Sequence, residues 1–263
     1  NLHEADKGTE NVLIQESVLT IQSIASTLPW SRYSGILRTI ITQIQKHPSR
    51  EKLLIKSIER VIDAFHFDMS SNVQKFLIQT LLPSLNGFLV EKSDDAYAPM
   101  QALRVPIALS IVKVLKKLPA GALEEHLLGL LSTICGLLKS KEQRTRNEAK
   151  LTLVKLVNEL GVSYVDTIIT QLRKSLKEGF MLHVLGNVMH AILVSLPDEV
   201  ILDKSVVQIV EVMTEDIFGD VAKQRGRTSG YVPSKDIQEA QSCKSYSTYQ
   251  VVASRITFQT HIQ

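Results

Sequence analysis

A chain of 263 residues, 44% apolar and 22% charged, carries ample material for burial and excludes wholesale disorder. Its formal net charge of +3 excludes a domain that simply coats itself in nucleic acid, while leaving room for local basic patches. Its two cysteines, Cys135 and Cys243, cannot build a disulfide framework and fit no metal-ligand spacing, which predicts a reducing compartment, cytosol or nucleus.

Residues 1–10 are polar and read as a flexible start. They show acids where a signal peptide needs a basic region, and there is no initiator Met, so the chain reads as a piece cut from a longer protein. From Asn11, the spacing of Leu13, Val18, Ile21, Ile24, Ala25 and Leu28 predicts a helix stopped by Pro29. A second helix follows from Ser31, with Tyr33, Leu37, Ile40, Ile41 and Ile44 inward, ending at His47-Pro48. Ser49 is the expected N-cap of a third, whose stripe is Leu54, Ile58, Val61, Ile62 and Phe65. A fourth runs from Asn72 to Val90, with a kink or break expected at Leu82 because Pro83 sits inside it.

The polar EKSDDAYA is a turn, and Pro99 suits the first turn of the next helix, while Pro106 must fall within its first two turns or bend it. Between Pro99 and Gly161 come three helix-periodic segments. In the first, Leu103, Ile107, Ile111, Val114 and Leu118 line one face and Ala108, Val112 and Leu115 a second, so this helix belongs inside a stack. The second holds the longest apolar run, LLGLLSTICGLL from Leu127, which falls short of the roughly 18 residues of a membrane span. Cys135 there reads as a small core residue. The third aligns Ala149, Leu153, Val157 and Leu160, with Gly161 where a C-terminal cap is wanted. Two more helices turn Val165, Ile168, Ile169, Leu172 and Leu176, then Leu182, Leu185, Val188, Met189, Ile192 and Leu193, inward. A last one, capped by Asp203, uses Val206, Ile209, Val210 and Met213.

The expected fold class is all-α. Helix pairs starting near 11, 49, 100, 142 and 181 repeat at roughly 38–51 residues, which brackets the roughly 40–47 of HEAT or armadillo repeats. The Arg–x–x–Ala–x–x–x–Leu spacing from Arg146 fits the second helix of a HEAT repeat. Residues 11–216 therefore read as a HEAT-like α-solenoid of stacked helix pairs. From Ile217 the chain turns polar and aperiodic, and residues 217–263 read as an extended, partly ordered C-terminal tail. Within it, the stretch from Thr248 to Arg255 suits a short helix or a strand equally.

No catalytic constellation emerges, and no enzyme, cofactor or small-molecule substrate is expected. GRTSG at Gly226 lacks the ending of a phosphate loop. His183 and His190 share a helix face but lack the spacing and third ligand of a zinc site, so they read as packed or hydrogen-bonded. Basic residues do cluster at helix ends: Lys139, Lys141, Arg144, Arg146 and Lys150 at one turn, Lys116 and Lys117 before it, Arg173, Lys174 and Lys177 after it. In a stack such ends align along an edge, giving a candidate ridge for phosphates or a partner. The plainer account is that cations favour helix C-termini.

Several phrases resemble one family, that of U3 small nucleolar RNA-associated protein 20: DAFHFD from Asp63, LRVPIALSIVKVLKKLP from Leu103, KEQRTRNEAKLTLVKLVNELGVSYV from Lys141 and FMLHVLGNVMHAIL from Phe180. EDIFGDVAKQ from Glu215 and KSYSTYQVVASRITF from Lys244 complete the order. One departure is Arg146-Asn147, where the family's repeat helix usually carries Arg-Asp. The resemblance implies a fragment of a very large, non-enzymatic HEAT-repeat scaffold of the small-subunit processome. Such a scaffold acts in the nucleolus, within the nucleus, in ribosome biogenesis and pre-18S rRNA processing. Its implied partners are pre-ribosomal RNA and the proteins of the U3 small nucleolar ribonucleoprotein and processome, with no membrane. The rival reading is a protein-binding HEAT or armadillo adaptor, transport-receptor-like, without direct RNA contact.

Overall fold

The structure, a computed structural model, describes residues 2–90, 102–219, 238–241 and 243–257, without the side chains of residues 2–11 and Gln241. Every regular element among them is helical, so the protein is all-α, and no described helix is long and apolar enough to cross a membrane. The chain divides into two compact units, Asn1–Glu125 and His126–Gln263.

The first unit holds α1 (Leu2–Ala25), α2 (Trp30–Lys46), α3 (Glu51–Asp63), α4 (Ser71–Phe76), α5 (Leu82–Val90) and α6 (Ile107–Leu115). Helix α3 is its centre, packing on α1, α2 and α6, while α5 also packs on α6. Helix α1 starts at Leu2 and so runs through the stretch read as a flexible start. Val18 and Ala25, seven residues apart, set its buried face. Leu13 and Ile24 lie about 120–140° round the helix from that face and are 63% and 51% exposed, against the expectation that they point inward. The inward residues of α2 are as expected: Tyr33, Leu37, Ile40, Ile41 and Ile44 are all buried.

Three boundaries depart from the sequence reading. Ser49 does not cap α3; Pro48–Arg50 form a 3-10 turn and Arg50 takes the cap position with no side-chain bond. The irregularity around Pro83 is a π-helical turn at Leu77–Leu81 leading into α5, a common way to absorb a missing backbone donor. Pro106 breaks the helix outright, with a turn at 105–106 ahead of α6. The EKSDDAYA turn and Pro99 lie outside the described residues.

The rings of Trp30, Tyr33, Phe65, Phe67 and Phe76 gather between α2, α4 and the loop after α3, mostly edge to face at centroid distances of 4.9–6.5 Å. The Tyr33 hydroxyl donates to the Val61 carbonyl at 2.6 Å, and burial, then the charge of Asp63, pushes its pKa up.

Helix α7 (Ala122–Leu137) begins in the first unit and continues in the second, which also holds α8 (Gln143–Leu160), α9 (Val165–Ser175), α10 (Met181–Ser195), α11 (Val206–Phe218), α12 (Gln238–Gln241) and α13 (Ser245–Ala253). Helix α10 is the hub: α8, α9, α11, α12 and α13 all pack on it. Gly161 ends α8 with φ of +88° and donates to the Val157 carbonyl at 2.8 Å, a conformation that favours glycine. Asp203 does not cap α11; Ser205 holds that position, and Asp203 accepts instead from the backbone N–H and hydroxyl of Thr257.

The stretch read as an extended, partly ordered tail with a short helix is ordered in part, and it starts later than residue 217. Ile217 and Phe218 belong to α11, and beyond residues 220–237, which lie outside the described set, α12 and α13 are helices docked on α10 and α11. The open choice between helix and strand near Thr248 resolves to helix, ending at Ala253. Its Ser, Thr, Tyr and Val residues have modest helix propensity, so tertiary burial supplies what local preference does not.

Candidate nucleic-acid interface

The basic turn between α7 and α8 is organised by one residue that sequence reasoning put on its surface. Arg146 is 1% exposed. Its Nε and one terminal nitrogen donate to the two carboxylate oxygens of Glu239 on α12, at 2.9 and 2.8 Å. The other terminal nitrogen donates to the carbonyls of Ser140 and Lys141, at 3.0 and 2.9 Å. The guanidinium therefore belongs to the core, and the planar fork geometry of arginine is what lets it serve both partners. Arg146 is withdrawn from the candidate ridge.

Fixing those carbonyls fixes the turn. Lys139, Lys141 and Arg144 are exposed around it, and the Ser140 hydroxyl accepts from the Glu142 N–H at 3.2 Å. Lys150, half-buried one turn further along α8, donates to Asn187 on α10 at 3.0 Å. Burial alone would raise the Glu239 carboxyl; hydrogen bonds from Arg146 and its own backbone, with the charges of Arg146 and Lys150, outweigh that and hold it below its ordinary range.

The other predicted cations are placed differently. Arg173 pairs with Glu211 at 2.6 Å on the surface, while Lys174 and Lys177 are exposed. Lys116 and Lys117 are exposed in the first unit, and the Lys117 ammonium lies over the Phe65 ring, 5.8 Å from its centroid.

The second unit holds further buried polar residues that periodicity did not single out. Asp216 accepts from Ser245 at 2.5 Å and Cys243 at 3.1 Å, and its other oxygen lies 3.6 Å from Nδ1 of His183. Gly186 makes room for this group: a Cβ there would meet the Asp216 carboxylate at 3.0 Å. Arg255 donates to the carbonyls of Leu193 and Leu196 and to Asp198. His190 bonds Thr248 at 3.0 Å; burial and then the charge of Lys244 pull its pKa below the ordinary value. Both histidines are thus packed and engaged as expected. Burial pushes the Cys135 thiol up to about 11, keeping it neutral in the core. The described residues include no cluster of His, Cys, Asp and Glu able to hold a metal ion.

No periodicity could have found Glu239 or Arg255, whose partners lie 93 and about 60 residues away. The one available signal was Arg146 itself, a charged residue on the same helix face as the buried Ala149, Leu153 and Val157.

Fold and site together define a class: all-α proteins of helices packed on one another, with cations gathered at an interhelix turn. The chain belongs to the U3 small nucleolar RNA-associated protein 20 family, whose domain model matches residues 95–263. The U3 small nucleolar RNA-associated protein 20 of Schizosaccharomyces pombe is 26% identical over 275 aligned residues, covering 93% of this chain and 11% of that protein. Its counterpart in Saccharomyces cerevisiae is 27% identical over 264 residues, covering 92% and 10%. The chain thus spans about a tenth of the length of these relatives.

Proposed function

We propose that this chain is a segment of a non-enzymatic helical scaffold of the small-subunit processome, working in the nucleolus in ribosome biogenesis and pre-18S rRNA processing. The observation that carries this reading is the family match over residues 95–263, whose name couples the family to U3 small nucleolar RNA. The helices stack as HEAT-like pairs in a solenoid; contacts between α1 and α3, α3 and α6, and α8 and α10 are the kind that stacked pairs make. The mechanism is geometric. A long rod bridges pre-ribosomal RNA and assembly factors, and this segment offers the rigidly anchored cations Lys139, Lys141 and Arg144 to phosphates.

Binding of labelled pre-18S RNA at rising salt tests the reading. A steep fall in affinity, shallower by about two units of slope or more in the K139E/K141E/R144E variant with an unchanged circular dichroism spectrum, is the expected result. No RNA binding at any salt would favour a protein-only adaptor instead.

A further inference from the structure

Between α8, α10 and the docked C-terminal segment lies an open cleft of about 480 Å³, lined by polar and charged side chains alone. Gln143, Asn147 and Lys150 come from one side of α8, Asn187 from α10, and Gln238 and Lys244 from the returning chain. Arg146 occupies both oxygens of the one acid in the lining, Glu239, so the charge left to the cleft is that of two lysines. Lys150 is held in place by the Asn187 carbonyl oxygen, which leaves the amide NH2 of Asn187 to donate. Lys244 has no acid partner among the described residues, and its charge is felt at the neighbouring His190. Two cations, one pre-positioned, beside amide donors, match a phosphate oxyanion with its sugar.

We infer that this cleft, complete only when the 238–257 segment is docked, binds the sugar-phosphate backbone of single-stranded RNA through Lys150 and Lys244. The inference rests on the RNA-contacting reading above and gives it a second, built site apart from the exposed lysines of the α7–α8 turn. RNA is favoured over an acidic peptide because the neutral amides add donors that a ribose and phosphate use together.

The test uses the intact chain and a fluorescent single-stranded RNA oligonucleotide. K150Q/K244Q is expected to bind about tenfold more weakly at low salt, and to lower the slope of log affinity against log salt by about 1.4, two single-strand contacts' worth. N187D, which keeps both lysines but sets a carboxylate against Lys150, is expected to weaken binding in the same direction. As a readout that needs no variant, RNA should protect Lys150 and Lys244 of the native chain from amine acetylation, read by mass spectrometry. If the native chain binds RNA with both lysines fully reactive, and K150Q/K244Q is indistinguishable from it, the cleft is overturned while the RNA reading stands. If the native chain binds no RNA, both fall. Equal protection by poly-glutamate, or by inorganic phosphate at the same phosphate concentration, would overturn RNA as the occupant.

Discussion

The two units are closed by different means. In the first, α2, α4 and the loop after α3 meet through a cluster of five aromatic rings, and the one buried acid among its described residues, Glu51, accepts from the Nε of Arg104 at the edge. In the second, the segment that follows residues 220–237 is docked on α8, α10 and α11 with buried polar groups at each contact: Arg146 of α8 with Glu239, Asp216 of α11 with Ser245 and Cys243, and the buried Arg255 with the Leu193 and Leu196 carbonyls and, at the surface, Asp198. Aromatic and aliphatic burial is tolerant of exchange, whereas buried charge is unforgiving once one partner is gone. The second unit therefore depends on a few named residues, the first on the sum of many contacts.

Arg146→Leu should make the sharpest break. It leaves Glu239 buried without its cation and the Ser140 and Lys141 carbonyls without their donor, at a cost of about 3–5 kcal/mol. Segment-resolved hydrogen exchange should show residues 238–257 and the basic turn opening together, with α2 and α3 unchanged. The matched change in the first unit is Leu37→Ala, at a fully buried position, expected to cost about 2–5 kcal/mol by transfer and cavity terms. Faster exchange there should stay within α1 to α6; if residues 238–257 respond equally, the contrast between the units fails.

Gly186→Ala is expected to cost about 1–3 kcal/mol, because the added methyl meets the Asp216 carboxylate at 3.0 Å, which must give way. Calorimetry of Gly186→Ala with Gly35→Ala as control checks it, since a Cβ at Gly35 meets nothing within 4 Å.

The smallest effect is graded with pH. His190 has a folded pKa below its ordinary 6.5 and Glu239 one below its ordinary 4.5. In both cases the unfolded chain binds the proton more readily, so stability is full above the ordinary pKa and falls as pH drops towards the folded one. Docking of residues 238–257 should loosen first below about pH 6.5 and again below about pH 4.5, measured by exchange protection in α13. His190→Asn should remove the first step and leave the second.

Most helices were legible because their evidence is local. The stripe Val165, Ile168, Ile169, Leu172 and Leu176 repeats every three to four residues, and all five are buried as that spacing predicts. Where apolar residues ran round more than one face, as with Leu13 and Ile24 on α1, the period gave a helix but not its inward side. The basic turn was legible as a cluster and misjudged in one member. Lys139, Lys141 and Arg144 are at the surface, whereas Arg146, two residues further on, is a core residue.

The sequence by itself thus determined the all-α class, the inward faces of helices with a single apolar stripe such as α2 and α9, the cap at Gly161 and the phrases that mark the family, because each is written within a few turns of chain. The tertiary structure alone decided that the polar C-terminal stretch is a docked helix and that Arg146 and Glu239 are partners. A charge has no period, and its meaning depends on which opposite charge the fold brings back to it from 93 residues away.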